Sequence, residues 1–158
     1  MKDSVVKKKV KIYIEAYLSD DNDLSRFYAD NFMLNAAKKV NSKIAETFYE
    51  DNFDTAISSD WTNGDTSVFK WQNSGYDKTN DGHVHIESTT NVNNKTLASK
   101  TFDLSKTFEG SAECLIYFDT NDNADSIKFA VQYKKGNNWF DDQSETIKTN
   151  SVNWKKYE

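Results

Sequence analysis

The chain has 158 residues and a net charge of −5 at pH 7, and 37% of its residues are hydrophobic, 28% charged and 14% aromatic. A chain of this length can bury one core, and its content of apolar and aromatic residues argues against disorder. The acidic balance disfavours a general nucleic-acid binder, which needs a basic face, and no window holds the ~20 apolar residues of a membrane span.

Residues 1–50 are predicted to form a docking or oligomerisation segment ahead of the main fold. Residues 5–18 alternate apolar and polar side chains, which predicts a strand, and their lysine run favours a solvated edge strand over an electrostatic patch. Beyond the polar turn at 19–23, apolar residues recur at steps of three and four, which predicts an amphipathic helix over 24–47. The apolar stripe of such a helix has to pack on the rest of the chain or on another subunit.

Residues 51–158 carry the pattern of an antiparallel β-sandwich, since short segments bounded by Gly, Asn, Asp or Ser recur at the spacing of sandwich strands. The clearest strand is Ser126–Tyr133, in which every second residue is large and apolar: Ile127, Phe129, Val131 and Tyr133. Ala112–Phe118 alternates in the same way, and its Cys114, the one cysteine of the chain, is predicted to be a buried thiol. Residues 134–138 follow as a hairpin loop, because Gly and Asn adopt positive φ at low cost.

A series of strand ends and aromatic residues gives this part of the chain a family resemblance. The series is Glu50-Asp51-x-Phe53, Trp61, Trp71, Asp81-Gly82-x-Val84, Leu97–Ser105, Lys128-Phe129-x-Val131-Gln132-Tyr133, Asn138-Trp139 and Trp154. It resembles the jelly-roll modules of the galactose-binding-like and MAM-like group, which occur in carbohydrate-binding modules, cell-surface adhesins and viral fibre proteins. The resemblance implies a mainly β fold, an antiparallel jelly-roll β-sandwich over 51–158. In such modules the segment that matches Trp154–Glu158 starts a strand and further strands follow, so the module is expected to be incomplete at its C-terminus: either the chain is a fragment of a longer protein, or a partner supplies the missing edge.

Catalytic and metal-binding patterns are weak in this sequence. His83, His85 and Glu87 share one face of a single strand, but three ligands in a row span too far to meet one ion, which favours an exposed polar face. The alternating oxygen-bearing residues of Asp119–Asp125 resemble a calcium loop, yet Ala124 stands where an EF-hand needs glycine. No nucleophile elbow, P-loop or pair of facing carboxylates is present, so the sequence predicts a protein that is not an enzyme.

Two binding sites are predicted. The resemblance implies a structural calcium ion near the first sandwich strand, where the local carboxylates are Glu50, Asp51 and Asp54; no other cofactor is expected. A glycan site is predicted from aromatic residues with polar neighbours, because sugar rings stack on aromatic faces while amides and carboxylates bind their hydroxyls. Its residues are Trp139, Asn137, Asn138, Asp141 and Tyr76, with Gln143 nearby. The alternative for Trp139 is a core position, which is the interpretation favoured for Trp61 and Trp71.

These features together predict a non-enzymatic virion protein, a phage head- or tail-fibre or decoration component. Residues 1–50 would anchor it to other virion proteins or to its own subunits, and the sandwich would contact a cell-surface glycan. The charged start at Met1 lacks an apolar secretory segment, which favours a protein made in the host cytoplasm over a secreted one. The alternative is a carbohydrate-binding module of a secreted glycan-degrading enzyme or adhesin, located outside the cell.

Overall fold

The computed structural model describes residues 9–19, 26–38, 45–73, 82–104, 107–119, 125–148 and 154–158. Within these ranges the chain forms strands and no helix. The strands are β1 (Lys9–Leu18), β2 (Arg26–Lys38), β3 (Ala45–Asp51), β4 (Trp61–Asn63), β5 (Phe69–Gln72), β6 (His83–Ile86), β7 (Val92–Ser99), β8 (Phe102–Asp103), β9 (Thr107–Asp119), β10 (Ser126–Lys135), β11 (Asn138–Ile147) and β12 (Lys155–Tyr157).

The strands build two six-stranded antiparallel sheets. Sheet A has the order β11-β10-β1-β7-β4, with β8 beside β1, and sheet B has the order β12-β9-β2-β6-β5, with β3 beside β2. Each of the five strands in the sheet A order has a sequence neighbour at the same place in the sheet B order, such as β1 with β2, β7 with β6 and β10 with β9. The predicted antiparallel β-sandwich is therefore confirmed, and this arrangement is compatible with a jelly roll.

The core lies between the two sheets and is lined by every second residue of the long strands. Phe129 of β10 lies opposite Ile14 of β1, and both belong to the buried cluster, as the alternation in Ser126–Tyr133 predicts. Phe32 of β2 contacts Trp61 across the core at a ring-centroid distance of 4.9 Å, which confirms the core position of Trp61. Cys114 is buried as predicted, and burial raises the pKa of its thiol.

The predicted helix over 24–47 is wrong for the described part of that range, because residues 26–38 and 45–47 belong to the antiparallel strands β2 and β3. A β-bulge explains the misleading periodicity. Asn31 has a φ of 50°, and the register with β9 shifts between Asp30 and Met33. One side of β2 therefore buries Phe27 and Ala29 before the bulge and Phe32 and Leu34 after it. This offset inserts a step of three residues, from Ala29 to Phe32, into a period of two, and the resulting spacing resembles that of a helical stripe.

Strand β1 forms as predicted over its described part, but it is not an edge strand. It pairs with β10 along one side and with β7 and β8 along the other, so it lies at the centre of sheet A. Strand β2 holds the equivalent central place in sheet B, and β3, which pairs with β2, ends at Asp51. Residues up to 50 thus supply central strands of both sheets, while their docking role stays a prediction.

Candidate functional site

The β10–β11 hairpin carries Trp139 on the outer face of sheet A, away from the core. The turn contains Gly136, whose φ of 62° lies in the left-handed region. Trp139 pairs with Lys134 near the start of β11, is half-buried, and does not belong to the buried core cluster. Trp139 is therefore a surface tryptophan, as the glycan-site prediction requires.

Strand register places a group of polar and aromatic side chains on the same face as Trp139. Because Val10, Ile12 and Ile14 of β1 point into the core, the alternate residues of β1 and their partners in β10 and β11 point outward. We call this group the Trp139 patch; its members are Lys11, Tyr13, Lys128, Gln132, Lys134, Trp139 and Asp141.

A second β-bulge decides which predicted residues join the patch. Val131 pairs with Gln143 and Gln132 pairs with Asp141, so Asp142 is an extra residue in β11. The bulge leaves Asp141 on the face of Trp139, two residues away, and turns Gln143 to the opposite face. Asn138 also lies on the opposite face by alternation, and Asn137 is an exposed residue of the turn. Of the predicted glycan ligands that the structure describes, it brings together Trp139 and Asp141.

The Asp141 carboxylate is held by side chains from two other strands. Its Oδ1 accepts hydrogen bonds from Tyr13 Oη and Gln132 Nε2, each at 2.9 Å, and its Oδ2 accepts one from the Lys128 ammonium. Burial alone would raise the pKa of Asp141, but the hydrogen bonds from Lys128, Gln132 and Tyr13 lower it below its usual value. Burial, together with Asp141, raises the pKa of Tyr13 to about 12. Asp141 is therefore held in place as an anion, and these contacts fix the positions of the Tyr13, Lys128 and Gln132 side chains.

Two lysines lie over the indole ring of Trp139. The Lys11 ammonium is 4.7 Å from the ring centroid and the Lys134 ammonium is 5.9 Å from it. Partial burial lowers the pKa of Lys11. Lys11 reaches Trp139 across β10, because β10 lies between β1 and β11 in sheet A. The patch thus combines the Trp139 indole and the Tyr13 phenol with the Gln132 amide, the Lys128–Asp141 ion pair and two further cations, Lys11 and Lys134.

Sequence reasoning missed the residues of the patch that come from β1 and β10. The alternation in their strands places Lys11, Tyr13, Lys128 and Gln132 on outward faces, but nothing in the local sequence links them to Trp139. The alternation in β1 and β10 identifies these residues as outward-facing, but they can be linked to Trp139 only if the two strands are known to be neighbours. That pairing joins residues more than 100 positions apart.

The predicted calcium ligands Glu50, Asp51 and Asp54 do not converge. Asp51 Oδ2 accepts hydrogen bonds from Tyr49 Oη (3.1 Å), Ser58 Oγ (2.9 Å) and Trp61 Nε1 (2.9 Å), and its Oδ1 accepts one from the Phe53 amide (3.0 Å). These four donors occupy the lone pairs that a metal would need. Across the described ranges, no cluster of three His, Cys, Asp or Glu side chains could hold a metal ion. The calcium site stays a prediction without support from this geometry.

The histidines of β6 lie on the outer face of sheet B, but the predicted exposed face is wrong. His83 and His85 are 1% and 5% exposed, because aromatic residues pack against them. The His85 ring stacks on Tyr28 at 4.8 Å, and the rings of Tyr117 and Trp154 lie near Tyr28 and His83. Burial lowers the pKa of His85, although Glu87, whose Oε2 is 3.3 Å from its Nε2, acts in the opposite direction. This cluster forms a second small core outside the sandwich.

Two predicted positions lie wholly or partly outside the described residues. Tyr76 is one, and residues 120–124 of the rejected calcium loop are the other. Asp125, at the end of that loop, is buried and accepts hydrogen bonds from the Ser19 amide (2.6 Å) and hydroxyl (2.8 Å) through Oδ1. These hydrogen bonds of Asp125 therefore link the start of β10 to the end of β1.

Comparisons of the chain with protein-family models, with curated proteins and with solved structures found no match. The two-sheet antiparallel sandwich is thus the part of the family resemblance that the structure supports. Among the residues described here, no helix is long and apolar enough to cross a lipid bilayer.

Proposed function

We propose that this protein is a non-catalytic adhesion module that binds carbohydrate through the Trp139 patch. The observation that supports it most directly is the position of Trp139, half-buried on an outer sheet face instead of in the core. A rigid sheet that presents an indole ring beside hydrogen-bonding groups suits sugars, whose C–H faces stack on the ring while their hydroxyls meet polar neighbours.

The groups around the ring support binding over catalysis. Asp141, the carboxylate of the patch, accepts three hydrogen bonds from other residues, one of them from the Lys128 ammonium. Such a carboxylate is a poor general base or nucleophile, since its lone pairs are occupied and its charge is neutralised. It holds Gln132 and Tyr13 in place, and among the described residues the Gln132 side chain has no other hydrogen-bond partner, so its remaining donor and acceptor positions can serve a ligand.

Substitution of Trp139 tests this proposal, with Phe140 as a matched control. Phe140 is the next residue in β11, is 43% exposed, and lies on the opposite face, where its ring stacks on Tyr133. Trp139→Ala removes ring stacking worth roughly 1.4 kcal/mol and should weaken glycan binding about tenfold, whereas Phe140→Ala should leave it unchanged. A glycan array followed by calorimetric titration of both variants provides the measurement. A blank array for the wild-type protein, or equal losses in the two variants, contradicts the proposal.

We place this module, as part of the same proposal, in a jelly-roll fibre or decoration protein of a phage particle, anchored through residues 1–50. The sheet order and the strand-end motifs that resemble such modules support this setting. The alternative is a carbohydrate-binding module of a secreted glycan-degrading enzyme or adhesin. The neighbouring genes separate the two, because capsid and portal genes fit the virion setting and a downstream glycanase domain fits the alternative.

A further inference from the structure

The Trp139 ring lies in a local excess of positive charge. Lys11 and Lys134 both lie within 6 Å of its centroid, and neither has an ion-pair partner among the residues that the structure describes. The chain as a whole carries a net charge of −5, whereas both charged groups that lie over this ring are cations. A surface that concentrates unpaired cations beside a ring favours an anionic ligand.

The nearby carboxylates do not neutralise these lysines. Asp141 accepts hydrogen bonds from Lys128, Tyr13 and Gln132, so the positive charge of Lys128 already offsets its negative charge. Glu15, four residues further along β1 on the same face, pairs in register with Lys128 and hydrogen-bonds with Tyr17, and among the described residues it forms no ion pair with Lys11 or Lys134. The Lys11 ammonium is instead partly buried against the indole ring, where the loss of hydration lowers its pKa.

The position of Lys11 also discriminates between sugars. A neutral sugar that stacks on Trp139 competes with the Lys11 ammonium for the ring and displaces it from a favourable cation–π contact. A sugar that carries a carboxylate can stack on the same ring while its carboxylate forms a charge-assisted hydrogen bond with Lys11 or Lys134. The cost of moving the ammonium is then offset by the new ion pair.

We propose that the Trp139 patch selects acidic glycans, in which a carboxylate on the sugar pairs with Lys11 and Lys134. This inference rests on the proposed glycan-binding function and adds the chemical class of its ligand. Single-stranded nucleic acid also stacks on aromatic rings beside lysines, but it needs a continuous basic groove and several rings, whereas this patch presents one indole in an acidic protein.

Matched polymers test the selectivity. Hyaluronan, alginate and polygalacturonate are each compared with their methyl-esterified forms, which keep the sugar rings and lose the charge. We expect the wild-type protein to bind at least one acid form about tenfold more tightly than its ester, and to lose this preference as salt rises from about 50 to about 500 mM. The salt series needs no variant, so it remains informative if a substitution perturbs folding.

Two lysine variants complete the test. Lys11→Met keeps the side-chain length and should weaken binding of the acid form about tenfold, with binding of the ester unchanged or tighter. Lys155→Met alters an exposed lysine of β12 in the other sheet and should change neither. Equal binding of acid and ester forms, or an unchanged ratio in Lys11→Met, overturns acid selectivity while leaving glycan binding in place. Failure of every polymer overturns acid selectivity, and failure of every polymer together with a blank glycan array, or preferential binding of an oligodeoxythymidine probe, overturns both proposals.

Discussion

Replacement of Asp51 by Asn should destabilise the fold strongly, although the two side chains have nearly the same shape. The Asp51 carboxylate accepts four hydrogen bonds at the end of β3: three at Oδ2, from Tyr49, Ser58 and Trp61, and one at Oδ1, from the Phe53 amide. An asparagine amide keeps one oxygen and presents an NH₂ group where the other acceptor was.

The magnitude follows from which donors can find another partner. The hydroxyls of Tyr49 and Ser58 can rotate, but the Trp61 indole N–H and the Phe53 amide are fixed, and both residues are buried. One of these two N–H groups must therefore face the new NH₂ group, which costs about 1–3 kcal/mol. The remaining hydrogen bonds also lose their charge assistance, so we expect a total loss of about 2–4 kcal/mol.

Equilibrium denaturation in guanidinium chloride, followed by tryptophan fluorescence, measures the difference in the free energy of unfolding. Asp54→Asn is the matched control, because Asp54 is exposed and accepts one hydrogen bond from Asn52; its effect should stay within about 0.5 kcal/mol. Asp51→Asn with a stability within about 0.5 kcal/mol of wild type would refute this reasoning. A calcium-dependent rise in wild-type stability that Asp51→Asn abolishes would instead support the calcium site.

Three further perturbations have outcomes set by the structure. Phe129→Ala should lower the free energy of unfolding by about 3 kcal/mol or more, because Phe129 is 3% exposed and lies between the sheets. A variant that melts within a degree of wild type would show that Phe129 lies outside the core. Gly82→Ala should destabilise the fold more than Gly136→Ala, because a Cβ at Gly82 would lie 2.2 Å from the Phe53 carbonyl oxygen. Gly136 has open space around it, and only its φ of 62° disfavours a side chain; thermal melts of both variants measure the difference. Burial lowers the pKa of His85, so as the pH falls this histidine is protonated in the unfolded chain before it is protonated in the folded protein. The free energy of unfolding should therefore fall as the pH drops below about 6.5, and above that pH His85 should not affect it. His85→Phe should flatten that decline in unfolding free energies measured at neutral and mildly acidic pH, and an equal decline in both proteins would exclude His85 as its source.

The β-sandwich and its inward residues could be predicted from the sequence because strand alternation is local. In β10 each large apolar residue is separated from the next by one polar or small residue, and that period alone assigns Phe129 to the core. The turn at Gly136 is also local, since a positive φ favours glycine whatever packs around it.

The β-bulges could not be predicted, and they account for two of the errors. At Asn31 one extra residue moves the apolar pattern of β2 onto a helix-like spacing, which led to the wrong helix over 24–47. The second bulge, at Asp142, places Gln143 on the face opposite Trp139 and leaves Asp141 on the same face as Trp139. A bulge depends on the register with the partner strand, so the sequence of one strand does not reveal it.

Only the tertiary structure decided the environments of the polar residues. His83 and His85 have the alternation of a surface strand, yet aromatic rings from distant segments bury them. Asp141 acquires its hydrogen bond from Tyr13 across 128 positions in sequence, and Lys11 reaches Trp139 over an intervening strand. Between bulges, the alternation along the chain sets which face of a strand a residue occupies. The position of each bulge, the partners of a residue, its burial and the pKa of its side chain are set by strands that meet only when both sheets have formed.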